Sequence, residues 1–291
     1  MFITIFIIGC SNTKHSINEI KQLIKKEKYD LAISKLDLLI SKDSTKSILF
    51  EYRRDAFFSL GNYDLAIKDA LRTINCGDST SLNYNKLGDI IFKTGRTDVA
   101  VNAFLLAISK DATNYIAYYN LGVCYYELGQ FDNAIAYLKE GLKNNPKPVD
   151  IYILLSSVYN SNSHYDLALE AINKCLDIDS LNHFAWYQKA LISYNLKDYI
   201  SAIKYHTKAI SIYSNDSEYY LKRGMCYYNL KEYNKALDDY NLALYNDNEN
   251  KLVYLSKAYT YKKMGNDSLA VINYKMYTLS DSTNTGYYEF E

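Results

Sequence analysis

Residues 115–148, YIAYYNLGVCYYELGQFDNAIAYLKEGLKNNPKP, read as two short amphipathic helices joined by a tight turn. The first carries Tyr118, Leu121, Gly122 and Tyr125 at helical spacing and stops at Gly129. The second begins after Phe131-Asp132 and carries Ala134, Ile135, Leu138 and Leu142, with Pro146 soon beyond its end. Steps of 34 residues from Ala134 land on Ala32, Ala66, Ala100, Ala134, Ala168, Ala202, Ala236 and Ala270. Eight alanines in unbroken register are not a product of composition. A period of this length means one supersecondary unit stacked many times.

The register divides the chain into 13–46, 47–80, 81–114, 115–148, 149–182, 183–216, 217–250 and 251–284, with a segment 1–12 before and a tail 285–291 after. An array of this kind absorbs 291 residues without one oversized core. A hydrophobic content of 48% excludes global disorder, and 2 prolines with 11 glycines favour helix throughout. Lys+Arg and Asp+Glu are both 33, and a net charge of zero argues against a phosphate-neutralising surface. The 32 tyrosines accompany abundant Asn, Lys and Ile, so part of that excess reflects AT-rich coding.

Numbering positions from the start of each repeat, the fourth holds Phe50, Tyr84, Tyr118, Tyr152, Trp186, Tyr220 and Tyr254. A Leu-Gly step appears as Leu87-Gly88 and Leu121-Gly122, and as Arg223-Gly224 with the leucine replaced; Ser156, Ala190 and Ala258 keep the position small. The eleventh position holds Phe57, Tyr125, Tyr159, Tyr227 and Tyr261. This joint pattern resembles the tetratricopeptide repeat family and covers all but the two ends. The first repeat departs from it, with Ser16 in the aromatic position and Ile20 in the small one, and so reads as a cap.

Small residues such as Gly122 and Ala134 are expected to let the two helices of a repeat approach closely, with the aromatics filling space beside them. Gly61, Gly95, Gly129 and Gly265 sit where a helix can end in a left-handed residue; Ser163, Lys197 and Lys231 replace that glycine. Tyr29-Asp30, Tyr63-Asp64, Phe131-Asp132 and Tyr165-Asp166 place an aspartate where it can cap the second helix.

The resemblance implies an all-α, right-handed superhelical solenoid whose concave groove is lined mainly by first helices. Positions 2, 5, 9 and 12 lie together on a helix, away from 4, 8 and 11, and are expected to face that groove. Early repeats put mixed residues there, among them Glu51, Asp55 and Asp89. From the fourth repeat the positions turn apolar, with Tyr119, Val123 and Tyr126, then Phe184, Tyr187, Leu191 and Tyr194. Leu221, Met225 and Tyr228 follow, and Leu252, Leu255 and Tyr259 continue the line. An exposed apolar stripe of this kind marks a partner surface, suited to an extended peptide or a partner helix.

Family members that grip the C-terminal carboxylate of heat-shock chaperones use a Lys/Asn/Arg clamp. Here the matching positions hold Tyr119 and Val123, or Asn85 and Asp89, and an isolated Asn120 and Lys222 do not rebuild it. A pentatricopeptide-type RNA reader would have a period of about 35 and a basic groove. His15, His164, His183 and His206 occupy unrelated positions, and no HExxH, GxSxG or phosphate-binding glycine loop occurs, so neither catalysis nor a cofactor or metal is expected. His206 and the pair Asp238-Asp239 read as a core or rim histidine and a solvated helix face, respectively. Cys76, Cys124, Cys175 and Cys226 read as small buried hydrophobes.

Met1 to Gly9 is apolar and too short to span a bilayer, and Ile7-Ile8-Gly9-Cys10 is followed by polar Ser11-Asn12-Thr13-Lys14. This resembles a bacterial lipobox, which implies lipidation of Cys10 and, with Ser11 next, retention at the outer membrane. It departs from that pattern in having no Lys or Arg before the run. The expected protein is a non-catalytic interaction scaffold, lipid-anchored in the cell envelope; the alternatives are a soluble cytoplasmic adaptor or a helper that supports an enzyme in trans. No nucleic-acid partner is expected.

Overall fold

A computed structural model describes residues 16–279, which are helical with short connections and contain no strand. The chain divides into two compact units after Pro146. The first holds α1 (16–25), α2 (Tyr29–Lys42), α3 (Ser47–Ser59), α4 (Tyr63–Asn75), α5 (Ser81–Lys93), α6 (Thr97–Lys110), α7 (Tyr115–Glu127) and α8 (Phe131–Asn144). The second holds α9 (Val149–Ser161), α10 (Tyr165–Ile178), α11 (His183–Asn195), α12 (Tyr199–Ile212), α13 (Ser217–Asn229), α14 (Tyr233–Asn246), α15 (Lys251–Lys263) and α16 (Asp267–Leu279). Within each unit the two helices of a repeat pack most closely, and each second helix then packs on the first helix of the next repeat. Short helices of 13 or 14 residues are marginal alone, so this nearest-neighbour packing is what holds them.

The alanine register is buried at every described repeat, from Ala32 to Ala270. The close approach has a more specific geometry than the sequence suggests. A Cβ added to Gly88 would lie 2.5 Å from Phe104, one on Gly122 2.4 Å from Leu138, and one on Gly224 2.6 Å from Tyr240. Each glycine thus receives the large side chain 16 residues on, and at Gly224 the carbonyl of the register's Ala236 also lies 3.2 Å from the added Cβ. At the same spacing three further repeats carry Ser156 with Ile172, Ala190 with His206, and Arg54 with Ala70, while the last carries Ala258 with Tyr274 and the first Ile20 with Leu36. In all but the first repeat a small residue on one helix is thus matched by a larger one on the other, which keeps the interior filled.

From the second repeat on, the third and tenth positions of the first helices are at most 3% exposed, as at Ala117 and Cys124, Ala185 and Ile192, Val253 and Thr260. Tyr118 and Tyr125, expected inside, are half-buried, and Tyr125 stacks on Tyr137 at 5.3 Å. A first helix inside a unit lies between two second helices, so its most enclosed stripe runs between the two contacts rather than along either one.

The turns behave as one family. Gly61, Gly95, Gly129 and Gly265 have φ of 69–78°, and Ser163, Lys197 and Lys231 adopt 60–62°. The hydrogen bonds match: Gln130 N donates to Tyr125 O at 2.8 Å, as His164 N does to Tyr159 O at 2.8 Å. The replaced glycines therefore leave the turn unchanged and carry a steric cost of about 1–2 kcal/mol for the left-handed backbone. Lys197→Gly is expected to stabilise the second unit by about 0.5–1 kcal/mol in urea unfolding, net of the freedom glycine adds to the unfolded chain.

The capping aspartates are placed differently from expectation. Asp30, Asp64, Asp132 and Asp166 are the second residues inside their helices, and the preceding caps Lys28, Asn62, Gln130 and His164 make no side-chain cap bond. These carboxylates act on the positive end of the helix dipole instead. Asp198 is the true cap of α12, accepting from Ser201 N at 3.0 Å.

Candidate functional site

In the first unit Tyr119, Val123 and Tyr126 are half-buried, and Tyr126 packs against Phe131, with ring centroids 6.1 Å apart. The same pairing recurs in Phe58–Tyr63, Tyr194–Tyr199 and Tyr228–Tyr233 at 5.4–5.7 Å. The twelfth residue of a repeat thus leans on the first ring of its own second helix and anchors the turn.

In the second unit, α11, α13 and α15 touch in succession and present the expected line. Phe184 is 42% exposed, Leu252 54% and Tyr259 50%, and Leu191, Tyr194, Met225 and Tyr228 are half-buried. Tyr187 and Leu221, expected on the groove, are instead buried, at 8% and 1% exposure. The cause is the fifth position, which faces the third position of the next first helix. Tyr219 there is large, and stacks on Tyr187 with centroids 4.8 Å apart. Leu221 falls in one core with Val253 in the same way. Burial raises the Tyr187 hydroxyl, which donates to Glu218 Oε1 at 3.4 Å. Tyr219, raised by burial to about 12, shares a 2.7 Å hydrogen bond with His183 Nδ1. A large residue at a third position was the sequence signal for this enclosure.

His206, against Tyr187 at 5.6 Å, is completely buried, and neither ring nitrogen has a hydrogen-bond partner among the described residues. Burial first, then the charges of Arg223 and Lys222, lower its pKa to about 3. It is a neutral filler opposite Ala190, in the position held by Phe104 and Tyr240 elsewhere.

Asp239, read as solvated, is buried and takes a bidentate grip from Arg223: Nε to Oδ2 at 2.8 Å and Nη2 to Oδ1 at 2.7 Å. Arg53 and Asp69 repeat this at 2.7 and 2.8 Å, and Arg53 also reaches Asp37 at 2.6 Å. Arginine therefore replaces the leucine of the seventh position wherever an aspartate lies 16 residues on, and that spacing was visible in the sequence. The polar face of the first unit is similarly built. Asn120 is not isolated: its Nδ2 donates to Asp89 Oδ1 at 2.7 Å, and burial raises Asp89 to about 6.

Cys124, Cys175 and Cys226 are buried, and burial pushes all three thiols up, Cys175 to about 11 and the other two to about 12. Cys76 is half-buried, its Sγ 3.6 Å from Ser44 O. Among the described residues no group of His, Cys, Asp and Glu could hold a metal ion, and no helix is long and apolar enough to cross a membrane. Cys10 lies outside the described residues.

Tetratricopeptide-repeat family models match residues 115–148 and 149–180, 185–216 and 217–250, and a TPR-repeat model matches 88–129. Together these span more than half of the chain. A TPR repeat-containing protein of Methanocaldococcus jannaschii is 42% identical over 69 residues, which are 24% of this chain and 12% of that one. Among solved structures, a tetratricopeptide repeat protein from Parabacteroides merdae aligns with a TM-score of 0.68 at 17% identity, covering 82% of this chain and 94% of that one. A chain of the APC/C hetero-tetramer Cut9–Hcn1 aligns at 0.65 and 13% identity over 93% of this chain, which spans about half of it (53%). At these identities the structural likenesses show the fold, a solenoid of stacked helix pairs.

Proposed function

The chain belongs to the tetratricopeptide-repeat family, and we propose that it is a non-catalytic scaffold that holds an extended peptide or partner helix on the first-helix face of its second unit. The observation that carries this reading is the succession Phe184, Leu191, Met225, Tyr228, Leu252 and Tyr259 along α11, α13 and α15, with Phe184, Leu252 and Tyr259 substantially exposed. Rigid rings next to flexible methionine make a surface that gains from desolvation at low entropic cost. Tyr187 and Leu221 contribute as the floor beneath it, not as contacts.

Phe184→Glu with Tyr259→Glu tests the face. Partners cross-linked in the native organism and identified by mass spectrometry are expected to fall at least about tenfold in recovery, as for loss of interface anchors. The circular dichroism melt should not change. Equal recovery with the double variant would overturn the assignment. Tyr187→Glu is unsuitable as a test, because a charge at a buried position unfolds its surroundings.

We further propose that the scaffold is tethered to an envelope membrane, most readily the outer membrane, through a lipid on Cys10. Support comes from the apolar Ile7-Ile8-Gly9 run meeting Cys10 and Ser11. Radiolabelled palmitate should enter the wild-type chain and not Cys10→Ala. Equal labelling of both, or of neither, would remove the anchor and leave a soluble adaptor.

A further inference from the structure

The second helices of the first unit carry an outward apolar stripe that the packing of the repeats does not use. Their inward sides are occupied by the register, where Ala32, Leu36, Ala66, Ala70, Ala100 and Phe104 are buried. On the opposite side Leu31 and Leu38 of α2, Leu65 and Leu71 of α4, and Val99 and Leu106 of α6 are 42–59% exposed. The two members of each pair stand six or seven residues apart, about two turns, so they share one side of the helix. The next second helix, α8, holds Asn133 and Glu140 at the positions of Leu31 and Leu38. Lys174 of α10, Lys208 of α12 and Lys235 of α14 likewise put a charge at one of the two. Three successive helices with paired, exposed apolar residues make a patch rather than scattered surface.

The charges around this patch favour one occupant. Beside the first apolar residue of each helix stands an aspartate, Asp30, Asp64 or Asp98, and in its last turn a cation, Lys42, Arg72 or Lys110. All six are exposed, and among the described residues none is in an ion pair. A partner of one charge sign would satisfy one row and be repelled by the other. A second copy of the same face, turned so that its helices run antiparallel, sets cations against aspartates along both rows. The alternative twofold arrangement runs the helices parallel and sets aspartate against aspartate, so charge selects the antiparallel one.

We propose that α2, α4 and α6 form an isologous dimer face, each helix lying antiparallel against the same helix of a second copy. Leu31 then meets the second copy's Leu38, Leu65 its Leu71 and Val99 its Leu106. Asp30, Asp64 and Asp98 meet the second copy's Lys42, Arg72 and Lys110. These ion pairs are solvent-exposed, so they set orientation while the apolar stripe supplies the affinity. Ser34, Lys68 and Asn102 fall midway along the helices, on the twofold axis. Lys68 therefore meets its own copy and opposes the pairing, which keeps the dimer reversible. No residue of α11, α13 or α15 takes part, so this face and the peptide-binding face stand or fall separately.

Sedimentation of the full chain over about a hundredfold range of concentration tests the proposal, because a reversible dimer follows mass action. The mass is expected to rise from one chain to two. Leu65→Glu with Leu106→Glu, both at exposed positions, should weaken association at least about tenfold and leave the circular dichroism melt unchanged. Asp64→Arg should also weaken it, and adding Arg72→Asp should restore it, since exchanging the two charges keeps them complementary only in the antiparallel arrangement. Lys68→Ser, which copies Ser34, should tighten the dimer. A chain that stays monomeric throughout would overturn the proposal. So would a dimer that ignores the leucine variants, or one that Arg72→Asp fails to restore. If deleting residues 1–15 turns a monomeric chain into the dimer, that segment is the cover instead. If the chain stays single while the leucine variants lower its binding to lipid vesicles, a membrane surface is.

Discussion

Asp239→Ala is expected to lower the stability of the second unit by about 3–5 kcal/mol, the largest single-residue effect foreseen for this chain. Asp239 is 3% exposed, and its loss strands the Arg223 guanidinium, whose remaining bond is to Thr207 Oγ1 at 3.0 Å. The pair also depends on Tyr220, over whose ring Arg223 lies at 5.7 Å. Urea unfolding followed by fluorescence of Trp186, the single tryptophan and a residue of α11, reports on this unit. The repeats themselves supply the control. Leu87 and Leu155 occupy the position of Arg223, and the residues 16 beyond them are Ala103 and Ala171, both buried. The double variant Arg223→Leu with Asp239→Ala copies that apolar solution and should recover most of the loss. A double variant as unstable as Asp239→Ala would show that the position needs its charges.

The second large effect is a pH dependence. His206 has a folded pKa near 3 against an unfolded value of 6.5, so the unfolded chain binds the proton more readily between them. The linked penalty is absent above pH 6.5 and grows as the pH falls toward 3, lowering stability by about 1.4 kcal/mol for each unit crossed. His206→Ile should abolish that component of the slope, measured as wild type minus variant across pH 3.5–7. It should also stabilise the unit near neutrality by about 1–3 kcal/mol, because two buried ring nitrogens without partners disappear. Isoleucine is the substitution of choice because Ile172 already sits opposite Ser156 at the equivalent place, and serine and Ala190 are close in size. Parallel slopes for the two proteins would assign the acid sensitivity elsewhere.

Much of this molecule was legible in one dimension. A period of 34, the buried alanines and the turn glycines belong to local chemistry, since a left-handed residue or a close helix contact admits few side chains. The lesson of Ser163, Lys197 and Lys231 is that a strong repeat overrides such preferences: all three adopt the glycine backbone because packing on both sides demands the same turn. The exposed apolar line of the second unit was legible in part. Phe184, Leu252 and Tyr259 are exposed where helical spacing puts them, but Tyr187 and Leu221 sit on the same helical stripe and are buried.

The sequence by itself determined the repeat, the helix pairs, their turns and the stripe of positions that can face outward, because each follows from neighbours within 34 residues. The tertiary structure decided what those positions meet. Whether a tyrosine at the fifth position is surface or core depends on the third residue of the next first helix, and Tyr219 reaches where an alanine would not. Whether an aspartate is solvated or buried depends on an arginine one helix away, as Asp239 shows with Arg223. Contacts between neighbouring helices are set by two side chains together, and helical periodicity reports only the direction of each.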